Sequence, residues 1–451
     1  SDHYTHLSVH TAEVSMPFST DFGLGDNNSV VYATYANTEE KSLYINSNLT
    51  IVDTTADIAF DYAKSTIVYG TPDPLETLTW TKNVDGKFEV ATLKHMLQLM
   101  SEGSKFTDLG DHPTDYWSSA YIQTSDIEFG VDDHASIVPI GNDTTKFTGE
   151  YDGGLFQIKD WSYTGGASNE GLFGYCLGAA LKHIRLSGIC TLSGQGRAGF
   201  VCAFLEGSEA YNIEGDFSEG TVLGGVENVG DIGTLFGQVK GGTCSYLTVR
   251  GILEFGINGA HVGGVIGVVA SSATVTMCRN LGTFPTGIPG QESAGGVVGQ
   301  LANSTVSKCL NGMNGDVLGG RGGGICGRVW YSGQIDLCVN TMTGNVSSTH
   351  AGGLIGYVYS ETNHVVTVTR SLNFMKGDIL GTPAGGVVGT LYLIGTPEVS
   401  ITKCIVAMQG NVEQSVRGYQ TTTPRETEVT VDTSFGMLFD TNDYGSATMV
   451  V

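Results

Sequence analysis

The residues with most chemistry to offer are nine cysteines, four of which recur at matched places. Cys278, Cys309, Cys338 and Cys404 each close a short alternating stretch, and Ser371 stands at the same place in a fifth. A metal or disulfide framework calls for CxxC pairs or an even count, and the sequence has neither. Disulfides between adjacent stacked strands stay open in principle. The matched spacing predicts instead an inward ladder about one strand spacing apart, in which Cys acts as a small hydrophobe and Ser371 marks a need for small volume. A thiol-rich core leans against long residence in an oxidising compartment.

Other constellations are weaker. Gly322, Gly324 and Gly327 spell GxGxxG, but no helical segment follows, as a dinucleotide site requires. His261 and His350 share a column with Asp231, Ser293, Arg321 and Pro383, a mixture that predicts a solvated corner and not a metal pair. Carboxylates at Asp126, Asp132, Asp133, Asp152, Asp160 and Asp336 could serve glycan cleavage, yet they share no column and no bases cluster beside them, so turns and solvated loops are expected. Asp132, Asp133 and His134 are the candidates for a divalent cation, but the expectation is no metal and no cofactor. Sequons at Asn27, Asn48, Asn142, Asn303 and Asn345 permit glycosylation without arguing for it.

The composition narrows the partners. Among 451 residues, 22 Lys plus Arg face 46 Asp plus Glu, a formal charge of −24, and only 15% are charged. So few bases leave no electrostatic footprint for nucleic acid or anionic headgroups. No stretch approaches the roughly 18 apolar residues of a membrane span, which predicts a soluble chain without membrane insertion. The N-terminus shows no basic and apolar leader pattern, so any targeting peptide is expected to be absent or removed. Glycine, 65 residues, is about twice its usual share of roughly 7%.

The glycines are placed by a repeat. Gly-Leu-Phe-Gly ending at Gly174 recurs in blocks ending at Ala203, Gly237, Gly267, Gly299, Gly327, Gly356 and Gly389, eight copies about 30 residues apart. Each block is followed by a β-branched alternating stretch, such as Ser304-Thr-Val-Ser-Lys-Cys309, and by a short closing piece such as Gly315-Asp-Val-Leu-Gly319. Three short strands per unit cannot bury their inner face alone, so the units must stack into an all-β parallel solenoid. The repeated glycines are expected to answer crowding at a corner or a need for positive φ.

The flanks differ in texture. Residues 1–80 are expected to form an N-terminal β domain or extended assembly arm, with strand-like pieces at Val30–Tyr35, Leu43–Val52 and Thr66–Tyr69. Residues 81–161 hold irregular first coils and a capping helix, started by Thr92, with Leu93, Met96, Leu97 and Met100 on one face. The eight repeats occupy 162–412, and 413–451 form a C-terminal cap or assembly tail.

In order, the helix, Tyr121–Phe129, Pro139-Ile-Gly141, Phe147-Thr-Gly-Glu-Tyr-Asp-Gly153 and the Gly-Gly-Val-Val-Gly units resemble proteins with GLUG-type repeats over about residues 85–412. The resemblance implies a right-handed parallel β-helix used for display, adhesion or assembly at a bacterial or virion surface. The zinc peptidase domain of some such proteins carries an HExxH motif, which is absent here. The expected function is a non-enzymatic structural or adhesive surface protein, extracellular or on a cell or virion surface, that associates with itself or with a particle. Two alternatives stay open: a depolymerase-like enzyme, and a glycan-binding module if Trp330, Tyr331 and Tyr357 lie along one face.

Overall fold

The structure, a computed structural model, describes residues 77–130, 138–166, 168–193, 196–223, 230–256 and 259–412. It also places seven strands outside these ranges: His6–Ser8, Ser29–Thr34, Glu40–Ile45, Ile58–Phe60, Tyr62–Ala63, Tyr419–Thr421 and Val429–Asp432. The chain divides into two compact units, Ser1–Thr77 and Leu78–Val451. In the first, Ser29–Thr34 lies between His6–Ser8, parallel, and Glu40–Ile45, antiparallel. The expected strand at Thr66–Tyr69 lies outside the described residues.

The second unit is an all-β parallel solenoid of about ten turns, each of about 30 residues, with one short helix. Its strands stack in register. One inward column reads Tyr121, Tyr151, Leu181, Ala210, Cys244, Val275, Val306, Ile335, Val368 and Ile401. A second reads Leu205, Val239, Val269, Leu301, Val329, Val358 and Leu391. All are buried, so alternation within each strand becomes a continuous apolar core once the coils stack.

At the N-terminal end the helix Leu93–Met100 sends Met96, Leu97, Leu99 and Met100 into that core. Thr92 holds the N-cap position but makes no cap hydrogen bond; its hydroxyl is taken by the His95 ring, 2.7 Å away. Gln98 is fully buried, donating to Gly103 O and Phe106 O and accepting from the Lys105 and Phe106 amides. These bonds fix the loop after the helix against the helix itself.

Two corner devices recur. At one, a single non-glycine residue adopts the left-handed region in successive coils: His183, Asn212, Tyr246, Met277, Lys308, Leu337, Arg370 and Lys403, with φ between 49° and 58°. At the other, the repeat glycines Gly237, Gly267, Gly299, Gly327, Gly356 and Gly389 all have ordinary φ. A Cβ on any of them would lie 2.5 to 2.6 Å from backbone oxygen of the preceding coil. Of the two causes expected for these glycines, crowding therefore applies and positive φ does not. Gly174 is crowded in the same way, against Gly141 O.

A polar ladder inside the core holds the glycine corner. Asn280, Asn311, Asn340 and Asn373 are fully buried and in register. Their Nδ2 groups donate across the core to Gly296 O, Gly324 O, Gly353 O and Gly386 O at 2.7 to 2.9 Å. Asn311 also donates to Asn340 Oδ1, and Asn340 to Asn373 Oδ1. Every polar atom of Asn340 is engaged in this way, which is what makes a buried amide tolerable. The ladder lies between Val249 and Val406.

Two expectations follow for stability, both measurable by urea unfolding. Asn340→Val strands Gly353 O and Asn373 Oδ1 without their donor and is expected to cost about 2–4 kcal/mol. Gly299→Ala forces backbone apart and is expected to cost about 3 kcal/mol, whereas Gly86→Ala, with open space around it, costs about 1 kcal/mol through its positive φ alone.

Candidate functional site

The glycine corner turns inward, and that makes a groove. In each coil the strand before the corner contributes one side chain to a first wall: Arg197, Asp231, His261, Ser293, Arg321 and His350 occupy one register position. The residue after the last position of each block forms the second wall: Phe204, Gln238, Val268, Gln300, Arg328, Tyr357 and Thr390. The walls touch. Arg197 lies over the Phe204 ring at 4.3 Å and its Nε donates to Gln238 Oε1 at 2.6 Å. His350 Nδ1 and Thr390 Oγ1 share a hydrogen bond of 2.9 Å, and the Arg321 guanidinium stands 4.8 Å from the Tyr357 ring centre.

This corrects the expectation of a solvated corner at His261 and His350. The column exists, but it lies inside a re-entrant angle. Burial pushes the His261 imidazole down to about 4 and lowers His350 as well. Burial also pushes the Asp231 carboxyl up to about 6, Arg197 opposing and Glu292 adding to the rise. Three of the nine arginines in the chain, Arg197, Arg321 and Arg328, line this groove.

Two residues farther along the second wall, an aromatic column runs in register. Two residues beyond Arg328, Trp330 stacks on Tyr359 with centroids 4.2 Å apart and planes at 16°, and Tyr359 stacks on Tyr392 at 5.6 Å and 12°. Tyr331 stacks on His364 at the next bend, and Tyr357 lies within 6.4 Å of Tyr392. All five aromatic residues are half-buried, each with part of its ring in contact with solvent. The Arg328 guanidinium lies 3.4 Å from the centre of the Trp330 ring.

The other sequence candidates lie elsewhere. Cys278, Cys309, Cys338, Ser371 and Cys404 are all buried, and the nine cysteines are free thiols. Hydrogen bonding between Cys278 and Cys309 raises the Cys309 thiol well above its ordinary range, and the same contact with Cys309 raises Cys338. Ser371 Oγ accepts from the Cys338 amide at 3.1 Å. Asp126, Asp160 and Asp336 accept hydrogen bonds from the Gln157 amide, the Ile189 amide and Arg370, in that order. Asp152 meets His183 at 2.9 Å, and nearby Glu150, though burial works against it, is held below the usual carboxylate range by Lys87 and Lys182. Asp132, Asp133 and His134 lie outside the described residues, as do Asn27 and Asn48. Among the described residues no three His, Cys, Asp or Glu side chains are placed to hold a metal ion, and no helix is long and apolar enough to cross a membrane.

Of the described sequons, Asn303 and Asn142 are exposed, while Asn345 Oδ1 accepts from the Asp378 amide at 2.8 Å in a ladder with Asp316 and Asn411. Gly322, Gly324 and Gly327 run from strand to strand with no helix, and Gly327 floors the groove. Sequence reasoning missed Glu292, Arg328 and the asparagine ladder. The signal for the last was present as Cys-x-Asn-x-Met in Cys309–Met313 and Cys338–Met342.

The half-buried pair Asp231 and His261 gives opposite pH dependences. His261 unfolded titrates near 6.5, so its contribution is full above about pH 6.5 and is lost as pH falls through 4. Asp231 holds a proton that the unfolded chain releases near pH 4, so its contribution is full below that and lost as pH rises through 6. His261→Gln is expected to shrink the fall in calorimetric melting temperature between pH 7 and pH 4.5. Asp231→Asn should raise the midpoint at pH 7, each effect on the order of 2 kcal/mol.

No family model and no curated protein sequence matches the chain. Among solved structures it is similar to a candidate immunoglobulin A1 protease from Bacteroides ovatus, at 13% identity and a TM-score of 0.37, over 78% of this chain and 86% of that one. It is similar as well to a structure named IgA1 protease, at 11% identity and a TM-score of 0.34, over 84% of this chain and 24% of that one. The comparisons assign no family.

Proposed function

We propose that the chain is a non-enzymatic structural and adhesive protein whose solenoid binds a surface glycan along the groove and the aromatic column beside it. The observation that carries this reading is the stack of Trp330, Tyr359 and Tyr392, one ring per coil, each half in contact with solvent. Sugar rings present apolar C–H faces that pack against the row of outward ring edges, while polar groups beside the rings fix orientation. Arg321, Arg328, His350 and Thr390 supply those polar groups within the same two walls. A stiff column that repeats one geometry suits an extended polymer better than a compact ligand. The protein would act at a cell, fibre or virion surface, outside the cell, held by self-association or by other structural proteins.

A glycan-cleaving reading rests on Asp231, whose carboxyl, pushed up to about 6, could act as a general acid. Its register position is two strands from that of Ser293, the neighbour of Glu292. At about 4.8 Å per strand the separation is near 10 Å, just beyond the upper end of the carboxylate spacing of inverting enzymes.

Binding on a glycan array, followed by titration of the retained oligosaccharides, separates the readings. Trp330→Ala and Tyr359→Ala are each expected to weaken binding about tenfold, the worth of one lost ring contact. An array that retains nothing, or variants that bind like the parent, would sink the adhesive reading. Release of reducing ends that disappears in Asp231→Asn would establish cleavage in its place.

A further inference from the structure

The charge in the groove is unbalanced at one point. Arg321 and Arg328 share a single carboxylate, Glu292. Arg328 Nη1 donates to Glu292 Oε2 at 2.9 Å, while Arg321 Nη1 lies 3.9 Å from that oxygen and donates to Glu292 O at 3.3 Å. The partners differ in exposure: the Arg328 side chain is 8% exposed, Arg321 28% and Glu292 54%. A buried guanidinium is thus matched by a carboxylate that is mostly in water, which is a weak pairing. The Nε atoms of both arginines are buried without a hydrogen-bond partner. The groups facing the pair are His261, His350 and Tyr357; burial disfavours charge on all three, so none supplies the missing negative charge. Burial and the neighbouring Arg321 also bring Arg328 down to about 10, the response of a guanidinium short of counter-charge.

Two arginines, one exposed carboxylate and flanking ring edges describe an incomplete anion site. We propose that Arg321 and Arg328 form a subsite for the acidic group of an anionic sugar, a carboxylate or a sulfate ester, whose ring packs against the outward edges of the Trp330–Tyr359 stack. Guanidinium forks bind both groups through paired charge-assisted hydrogen bonds. The Arg328 guanidinium, set 3.4 Å over the centre of the Trp330 ring, covers that face and holds the cation beside the edges of the stack. Glu292 occupies the site in the free protein and is displaced outward, toward the solvent it already meets. This assignment rests on the glycan-binding reading and narrows it to acidic polymers. It runs against the whole-chain charge of −24, which would repel such a polymer everywhere but here.

The test is calorimetric titration of the full chain with oligogalacturonate, with its carboxyl-reduced neutral form and with a sulfated galactan oligosaccharide. Tighter binding of one or both acidic sugars than of the neutral one, by about tenfold, is expected, and the stronger of the two identifies the acidic group. Arg321→Met should bring the acidic-to-neutral ratio close to one. Glu292→Gln, which keeps the side-chain volume and whose folding is checked by its melting temperature, should raise it several-fold by removing the competing carboxylate. Equal affinity for acidic and neutral forms, or a ratio unmoved by both variants, overturns the subsite while the glycan reading stands. Absence of binding to all three sugars, together with an array that retains no glycan, overturns both.

Discussion

Everything in the solenoid depends on one constraint: each residue is stacked on its own counterpart in the next coil, about 4.8 Å away. A side chain in such a column must be compatible with itself. Apolar residues satisfy that without difficulty, which is why the inward columns run from Tyr121 to Ile401 unbroken. Charges do not, and the outward columns accordingly mix signs: Lys87 and Lys182 around Glu150, Lys240 beside Glu206, Arg250 beside Glu214. Asparagine is the polar side chain that gains from the constraint, since an amide carries both donor and acceptor and can bond to its own copy. The ladder from Asn280 to Asn373 exploits this, and at each step it also grips the carbonyl of a glycine across the core.

The same constraint produces the groove. Because the corner glycines pack against the backbone of the coil before, the strands on either side are drawn together, and their outward side chains face each other instead of diverging into solvent. Polar residues placed there are desolvated by position alone. Asp231 and His261 are shifted in opposite senses for one reason, that burial between the walls favours the uncharged form of each. Arg328 cannot take that course readily, and so its charge is left to be met by Glu292 or by something else.

The fold was legible because the apolar pattern and the glycine blocks repeat together: Gly263 to Gly267, Gly295 to Gly299 and Gly352 to Gly356 announce the coil, and Leu93, Met96, Leu97 and Met100 announce the helix. The groove was not legible. Nothing in the identity of His261 or His350 tells whether a corner bulges outward or folds in; that depends on how near two strands approach, which the glycines permit but do not dictate. The left-handed bend was hidden for the opposite reason, since residues as unlike as Tyr246, Lys308 and Leu337 adopt it. There the stacked strands on both sides impose the conformation against a local cost of about 1–2 kcal/mol per residue. The Glu292–Arg328 contact joins side chains 36 residues apart in neighbouring coils, and only the register brings them together.

A groove generated by the repeat has a length counted in coils. Duplication or loss of one stretch of coding sequence, some 90 nucleotides for about 30 residues, would lengthen or shorten the floor by about 4.8 Å and leave its cross-section unchanged. Inheritance can therefore adjust the reach of that surface without touching the set of side chains any one coil presents. The glycine corner makes the molecule a ruler whose divisions can be added or removed whole.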